Sequence, residues 1–235
     1  MTKDLIIACD FPDKKSCLAF LENFPDEKPY LKIGMELFYS EGPAVVTELK
    51  KRGHKIFLDL KLHDIPNTVE KAMMSIATFG VDMCNVHALG GRAMMEAAVK
   101  GLRTKEGVKT KLIAVTQLTS TSQEQMSQEQ LIAGSIGDVV LHYAKNAAAA
   151  GVDGVVCSAL EAALIKETCG NEFLTVTPGI RPKNTAAGDQ SRITTPQQAF
   201  ELGADYIVVG RPITEASDPL HAYKSCLSDF LSTVL

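Results

Sequence analysis

No stretch of the 235-residue chain approaches the roughly 18 consecutive apolar residues of a membrane-spanning helix. The first apolar run, Leu5 to Cys9, stops at Asp10 and is too short for the hydrophobic region of a secretory signal. Neither sign of charge dominates: 24 basic against 28 acidic residues leave a net charge of −4 at pH 7, which sets up no general field for nucleic acid or an anionic membrane. The expectation is a soluble, cytoplasmic protein with no nucleic-acid or membrane partner, in which any anionic ligand is held by a local basic cluster. The six cysteines form no C-x-x-C pair and mostly sit in apolar runs, which suits reduced core thiols rather than disulfides or a zinc site. The five histidines (His54, His63, His87, His142, His221) show no metal-ligand spacing, so no metal is expected. There is no G-x-G-x-x-G after the first strand, no G-x-x-x-x-G-K-[ST] and no G-x-S-x-G, which speaks against a dinucleotide fingerprint, a P-loop and a hydrolase elbow.

What is present is regular. Apolar residues at 46% and charged residues at 22% are ordinary for a globular core, which sets aside disordered, collagenous and coiled-coil classes. One large domain over residues 1–235 is the economical division. Eight short apolar runs read as buried strands: Leu5–Cys9, Leu31–Gly34, Ile56–Leu60, Met83–Val86, Leu112–Thr116, Gly154–Cys157, Phe173–Val176 and Tyr206–Val209. Helical periodicity fills the gaps, as in Asp13–Asn23, Pro43–Arg52, Thr68–Phe79, Arg92–Leu102, Asp138–Ala150, Ala159–Thr168 and Pro196–Leu202. Gly53, Gly80, Gly151 and Gly203 each end a helical pattern just before a strand, and three of them begin a Gly-x-Asp repeat (Asp82, Asp153, Asp205). Eight alternating units predict an α/β protein of the (β/α)8 TIM-barrel class; an open doubly wound sheet is the rival. Two polar segments, Thr119–Gln130 and Arg181–Pro196, follow strands and are lid candidates or plain solvated connections.

The third strand and its exit, K-I-F-L-D-L-K-L-H-D-I-P-N over Lys55–Asn67, carry charge where a strand should be apolar. Alternation puts Ile56, Leu58 and Leu60 on one face and Phe57, Asp59 and Lys61 on the other. In a barrel the charged pair points inward near the C-terminal mouth, with Asp64 just beyond. Such charges need partners or a ligand, although an ion pair that only fixes strand register is the plain alternative. Asp10 after the first strand and Lys32 in the second would join them, gathering two lysines and three carboxylates. Towards the C-terminus, T-P-G-I-R-P (Thr177–Pro182) and V-G-R-P (Val209–Pro212) occupy the places where barrels bind phosphate. Gly210 and Arg211 fit that role, and Arg181, Gln190 and Arg192 could close over the same anion. His63 and His87 read as structural histidines.

These residues resemble the orotidine 5′-phosphate decarboxylase family. The segment Asp59-Leu60-Lys61-Leu62-His63-Asp64-Ile65-Pro66-Asn67-Thr68 is similar to its signature. Asp10, Lys32 in K-I-G, Val115–Ser120, Thr177–Pro182, Gly188-Asp189-Gln190 and Gly210-Arg211-Pro212 follow in the family's order. The resemblance implies decarboxylation of orotidine 5′-monophosphate to uridine 5′-monophosphate, the last step of pyrimidine nucleotide synthesis, with no cofactor and no metal. It implies that Lys61 protonates C6, that Asp59 sits against the departing carboxylate, and that Lys32 and Asp64 complete the catalytic charge network. It assigns Asp10 and Lys32 to the ribose hydroxyls, Thr119 and Ser120 to the base edge, and Arg181, Gln190, Gly210 and Arg211 to the phosphate side. It also implies a homodimer in which Asp64, Ile65 and Thr68 reach the neighbouring site. The rivals are a magnesium-dependent sugar-phosphate decarboxylase or aldolase-type barrel sharing D-x-K-x-x-D, whose members are expected to carry an acidic residue in place of Lys32, and a non-catalytic barrel that binds a phosphorylated metabolite.

Overall fold

The computed structural model describes residues 3–104, 106–182 and 192–232. Its strands are β1 (Asp4–Ala8), β2 (Tyr30–Ile33), β3 (Ile56–Leu62), β4 (Met83–His87), β5 (Lys111–Val115), β6 (Gly154–Val156), β7 (Leu174–Thr177) and β8 (Tyr206–Val209). All pair in parallel with their sequence neighbours, and β8 returns to β1 through Asp4↔Tyr206 to Ile7↔Val209, closing the (β/α)8 barrel. Closure excludes the open doubly wound sheet. The expected strands are all found, with no end shifted by more than two residues.

The helices are α1 (Lys14–Leu21), α2 (Met35–Glu41), α3 (Pro43–Lys51), α4 (Pro66–Ile76), α5 (Gly91–Leu102), α6 (Gln123–Gln128), α7 (Ile136–Ala149), α8 (Ala159–Cys169), α9 (Pro196–Glu201), α10 (Arg211–Thr214) and α11 (Pro219–Leu231). Four, α2, α6, α10 and α11, lie outside the stretches where periodicity pointed to a helix. The polar segment after β5 contains α6, because Ser122 and Gln125 form a reciprocal capping box and Met126 is fully buried beneath it. The last helix, α11, starts on the Asp218 cap, whose carboxylate accepts from His221 N–H.

Strand alternation sorts the core into two layers. Ile6, Ala8, Tyr30, Phe57, Met83, Ile113, Val176 and Val208 fill the barrel interior, while Leu5, Ile7, Leu31, Ile33, Ile56, Leu58, Cys84 and their like face the helices. The cysteines are free thiols and five of the six are buried in this core. Among the described residues no helix is long and apolar enough to cross a membrane.

The Gly-x-Asp repeat forms a stitch used three times at the N-terminal end of the barrel. Gly80, Gly151 and Gly203 turn out of their helices at φ of 67°, 78° and 90°. The aspartate that follows then accepts from the first N–H groups of the preceding strand. Asp82 takes Ile56 N at 2.8 Å, Asp153 takes Leu112 N at 2.7 Å, and Asp205 takes Thr175 N at 2.8 Å. Each carboxylate is also paired with a cation from the helix leading into that strand: Lys50 at 2.7 Å, Arg103 at 2.9 Å and Lys166 at 2.5 Å. The Asp205 stitch is the most enclosed, and Lys166 Nζ also donates to the Asn171 and Phe173 carbonyls. Asp205→Ala strands that ammonium and the Thr175 N–H, so urea denaturation should show a loss of about 3–5 kcal/mol in unfolding free energy. A loss below about 1 kcal/mol would mean that the stitch is no more than a surface ion pair.

Candidate active site

The C-terminal ends of β1, β2 and β3 bring four charged side chains into a row. Lys32 Nζ lies 3.0 Å from Asp10 Oδ1 and 3.4 Å from Asp59 Oδ2, and Lys61 Nζ lies 2.7 Å from Asp59 Oδ1. Signs alternate along the row, so Lys32 and Asp59 are each neutralised by a neighbour where burial alone would expel the charge, while Lys61 is half-buried and Asp10 is exposed. Burial works against the charge on Lys32, but the carboxylates of Asp59 and Asp10 outweigh it and hold the ammonium above the usual lysine pKa. Burial likewise pushes Asp59 upward, yet Lys32, Lys61 and the Asn85 amide prevail and keep its carboxyl below the usual carboxylate range.

Local backbone aims these groups. Asp59 and Lys61 both point inward, as alternation requires, but β3 bulges here and Lys61 takes φ = 51°. A left-handed lysine costs of order 1–3 kcal/mol, strain of the sort found where a side chain must be re-aimed. At the end of β2, Gly34 leaves room for the row: a Cβ there would come within 3.0 Å of Asp10 Oδ1 and 3.2 Å of Lys32 Nζ.

Lys32, Asp59 and Lys61 wall a cavity of about 200 Å³ with an apolar floor of Phe57, Val115, Val156, Val176 and Val208 and a polar rim that includes Thr119 and Ser120. Thr119 is buried and Ser120 exposed. A second lobe of similar volume shares Lys32, Pro178 and Val208 with the first and is lined by Asp10, Gly179, Arg181, Gly210 and Arg211. One mouth thus offers an apolar-floored slot beside the charge row and a lobe with two arginines. A larger cavity, about 480 Å³, opens at the other end of the barrel around Tyr30, Lys55, Asp82 and Tyr206. It lies at the strand starts, and Lys55 and Asp82 there are paired with Asp4 and Lys50.

Three expected site residues stay outside this mouth. Asp64, Ile65 and Thr68 are exposed around the start of α4, and Asp64 Oδ1 accepts from Ile65 N–H at 2.6 Å. The expected fifth charge is therefore absent from the row formed within the chain. Gln190, with Gly188 and Asp189, lies outside the described residues. Arg192 does not turn towards the arginine lobe. It pairs with Glu161 of α8 and donates to the Leu118 carbonyl at 3.2 Å, tying the segment before α9 to the β5 loop. His63 and His87 stack at 5.8 Å between ring centroids, and burial, His63 and Lys61 together lower the pKa of His87. Among the described residues no group of three or more His, Cys, Asp or Glu side chains is placed to hold a metal ion. The residue missed from sequence is Asn85, a lone amide in the buried run M-C-N-V-H, which contacts both Asp59 and Lys61.

The model of the orotidine 5′-phosphate decarboxylase / HUMPS family matches residues 3–226. The chain belongs to this family. Proteins named orotidine 5′-phosphate decarboxylase from Enterococcus faecalis and Bacillus mycoides are 58% and 56% identical to it over 229 and 228 residues. The alignments cover 96% of this chain and 97% and 96% of those proteins. The crystal structure of orotidine 5′-phosphate decarboxylase from Lactobacillus acidophilus superposes with a TM-score of 0.87 at 43% identity, covering 97% of this chain and 99% of that one. An uncharacterized conserved protein from Geobacillus kaustophilus gives 0.85 at 48% identity, covering 96% and 99%. The likeness to these orotidine 5′-phosphate decarboxylases therefore runs along nearly the whole barrel, including every strand that supplies the charge row.

Proposed function

We propose that this chain converts orotidine 5′-monophosphate to uridine 5′-monophosphate, the last step of pyrimidine nucleotide synthesis, with neither metal nor organic cofactor. The observation that carries the reading is the alternating row Asp10–Lys32–Asp59–Lys61, whose last three members wall an apolar-floored slot while Asp10 lines the adjoining lobe. The slot accepts the pyrimidine ring, with Thr119 and Ser120 at the base edge. Asp10 and Lys32 take the ribose hydroxyls, and Arg181, Gly210 and Arg211, with Gln190, take the phosphate. Asp59, kept ionised by its neighbours, then faces the substrate carboxylate, and that repulsion is relieved as the bond to C6 breaks and carbon dioxide leaves. The electron pair stays on C6. The Lys61 ammonium stabilises that pair and delivers its proton to C6, and the amine left behind regains a proton from solvent.

The exposure of Asp64, Ile65 and Thr68 supports a homodimer in which they complete the partner's site; Ile65 keeps 65% of its surface open in the single chain. Free thiols suit the reducing cytoplasm as the place of action. The test is an ultraviolet assay of the purified chain with orotidine 5′-monophosphate, with and without excess EDTA. Equal loss of substrate absorbance in both samples is expected. A requirement for added magnesium would favour the sugar-phosphate rival, and binding of uridine 5′-monophosphate without turnover would leave only a phosphorylated-metabolite binder.

A further inference from the structure

Between the paired positions Leu58–Cys84 and Leu62–Val86, β3 carries three residues, Asp59, Leu60 and Lys61, where β4 carries only Asn85. A main-chain ladder cannot serve such a bulge, and the amides it frees need other acceptors. The Asn85 side chain, 1% exposed, supplies one: its Oδ1 accepts from Lys61 N–H at 2.8 Å. Its Nδ2 donates to Asp59 Oδ1 at 2.7 Å, the same oxygen that takes Lys61 Nζ. The amide orientation follows from chemistry, since only a carbonyl oxygen can accept from an N–H and only an NH2 can donate to a carboxylate.

Resting on the decarboxylase reading above, we propose that Asn85 is a positioning residue for the reaction: one amide fixes both the Asp59 carboxylate and the left-handed backbone from which Lys61 reaches it. The inward neighbours of Asn85, Met83 and Ile113, are apolar, so the barrel does not need an amide to fill this layer. An amide buried there is tolerated because both its ends are satisfied, and both ends serve the charge row. The charged groups around Asp59 are Lys32 from β2 and Lys61 on its own strand, with Asp10 from β1 beyond Lys32 and His87 at the end of β4 beside Lys61. None of these takes over the Asn85 hydrogen bond to Lys61 N–H.

Two variants test the role, with kcat, KM, melting temperature and pH profile measured beside the wild type. In Asn85→Ala, kcat should fall about 100-fold, the scale of a misplaced reacting group. KM and uridine 5′-monophosphate affinity should stay near wild type, because phosphate and ribose are held elsewhere. Losing a donor to its ionised form raises the Asp59 pKa, so the acid limb of kcat/KM should move to higher pH. Asn85→Asp sets a second carboxyl beside Asp59. One proton shared between the two restores the donor and acceptor pattern, so its activity should recover as pH is lowered and disappear as pH rises. A lower melting temperature with kcat and pH profile unchanged would reduce Asn85 to a structural amide and overturn the proposal. If Asn85→Ala does not fold, the pH profile of Asn85→Asp decides, a wild-type profile being the overturning result. Inactive wild type would count against the decarboxylase reading itself, whereas active wild type with indifferent variants counts against Asn85 alone.

Discussion

Replacing Lys61 by alanine should lower turnover of orotidine 5′-monophosphate by at least about 10⁴-fold, because proton delivery and charge stabilisation at C6 are lost together. Uridine 5′-monophosphate should still bind, since the groups assigned to base, ribose and phosphate lie on other strands and loops. The remaining site is not simply a weaker version of the original. Without the ammonium at 2.7 Å, Asp59 keeps only Lys32 at 3.4 Å and the Asn85 amide to hold its negative charge. Its carboxyl then moves up toward the ordinary range, and it faces the substrate carboxylate with one counter-charge fewer. Single-turnover absorbance decay gives the rate, and calorimetry with uridine 5′-monophosphate gives the binding. Near-normal turnover would remove the proton-donor role. The same variant tests the dimer. Mixed with Asp64→Asn protein and allowed to re-associate at random, half the dimers carry one intact site, which restores about a quarter of wild-type activity. No recovery would place Asp64 in the site of its own chain.

The features legible in the sequence are those set by local pattern. Each strand is a short apolar run bounded by polar residues, and each Gly-x-Asp turn reports a positive φ followed by an acceptor, so the barrel and its stitching follow from spacing. Asp59 and Lys61 stand out because a barrel strand has no ordinary use for charge. What escaped depends on pairing across the sheet. The two extra residues of β3 opposite Asn85 exist only in the register between β3 and β4, so no reading of either strand alone reveals the bulge or the amide that serves it. Arg192 was open to a phosphate role until its partner was known, and Glu161 lies 31 positions away. Burial raises the Glu161 pKa while Arg192 opposes it, so that arginine is spent on an internal charge. The helix α6 escaped because its single buried anchor, Met126, sits in a segment otherwise polar.

The second large effect is expected at the far end of the substrate. Arg211→Ala should lower kcat/KM by about 10²–10³-fold, the range for losing one partner of a charge-assisted pair. Its distribution matters more than its size. If the phosphate lobe only captured substrate, KM would rise and kcat would stay, which is uniform binding. The lobe shares Lys32 with the reactive slot, however, and Lys32 is braced between Asp10 and Asp59. A phosphate held at Gly210 and Arg211 therefore fixes where the ring lies against the charge row, so that binding energy from a remote group lowers the barrier at C6. Steady-state kinetics should accordingly show kcat falling along with the rise in KM. An unchanged KM would take the phosphate out of this lobe, and with it the link by which an arginine after β8 aligns a pyrimidine against a lysine on β3.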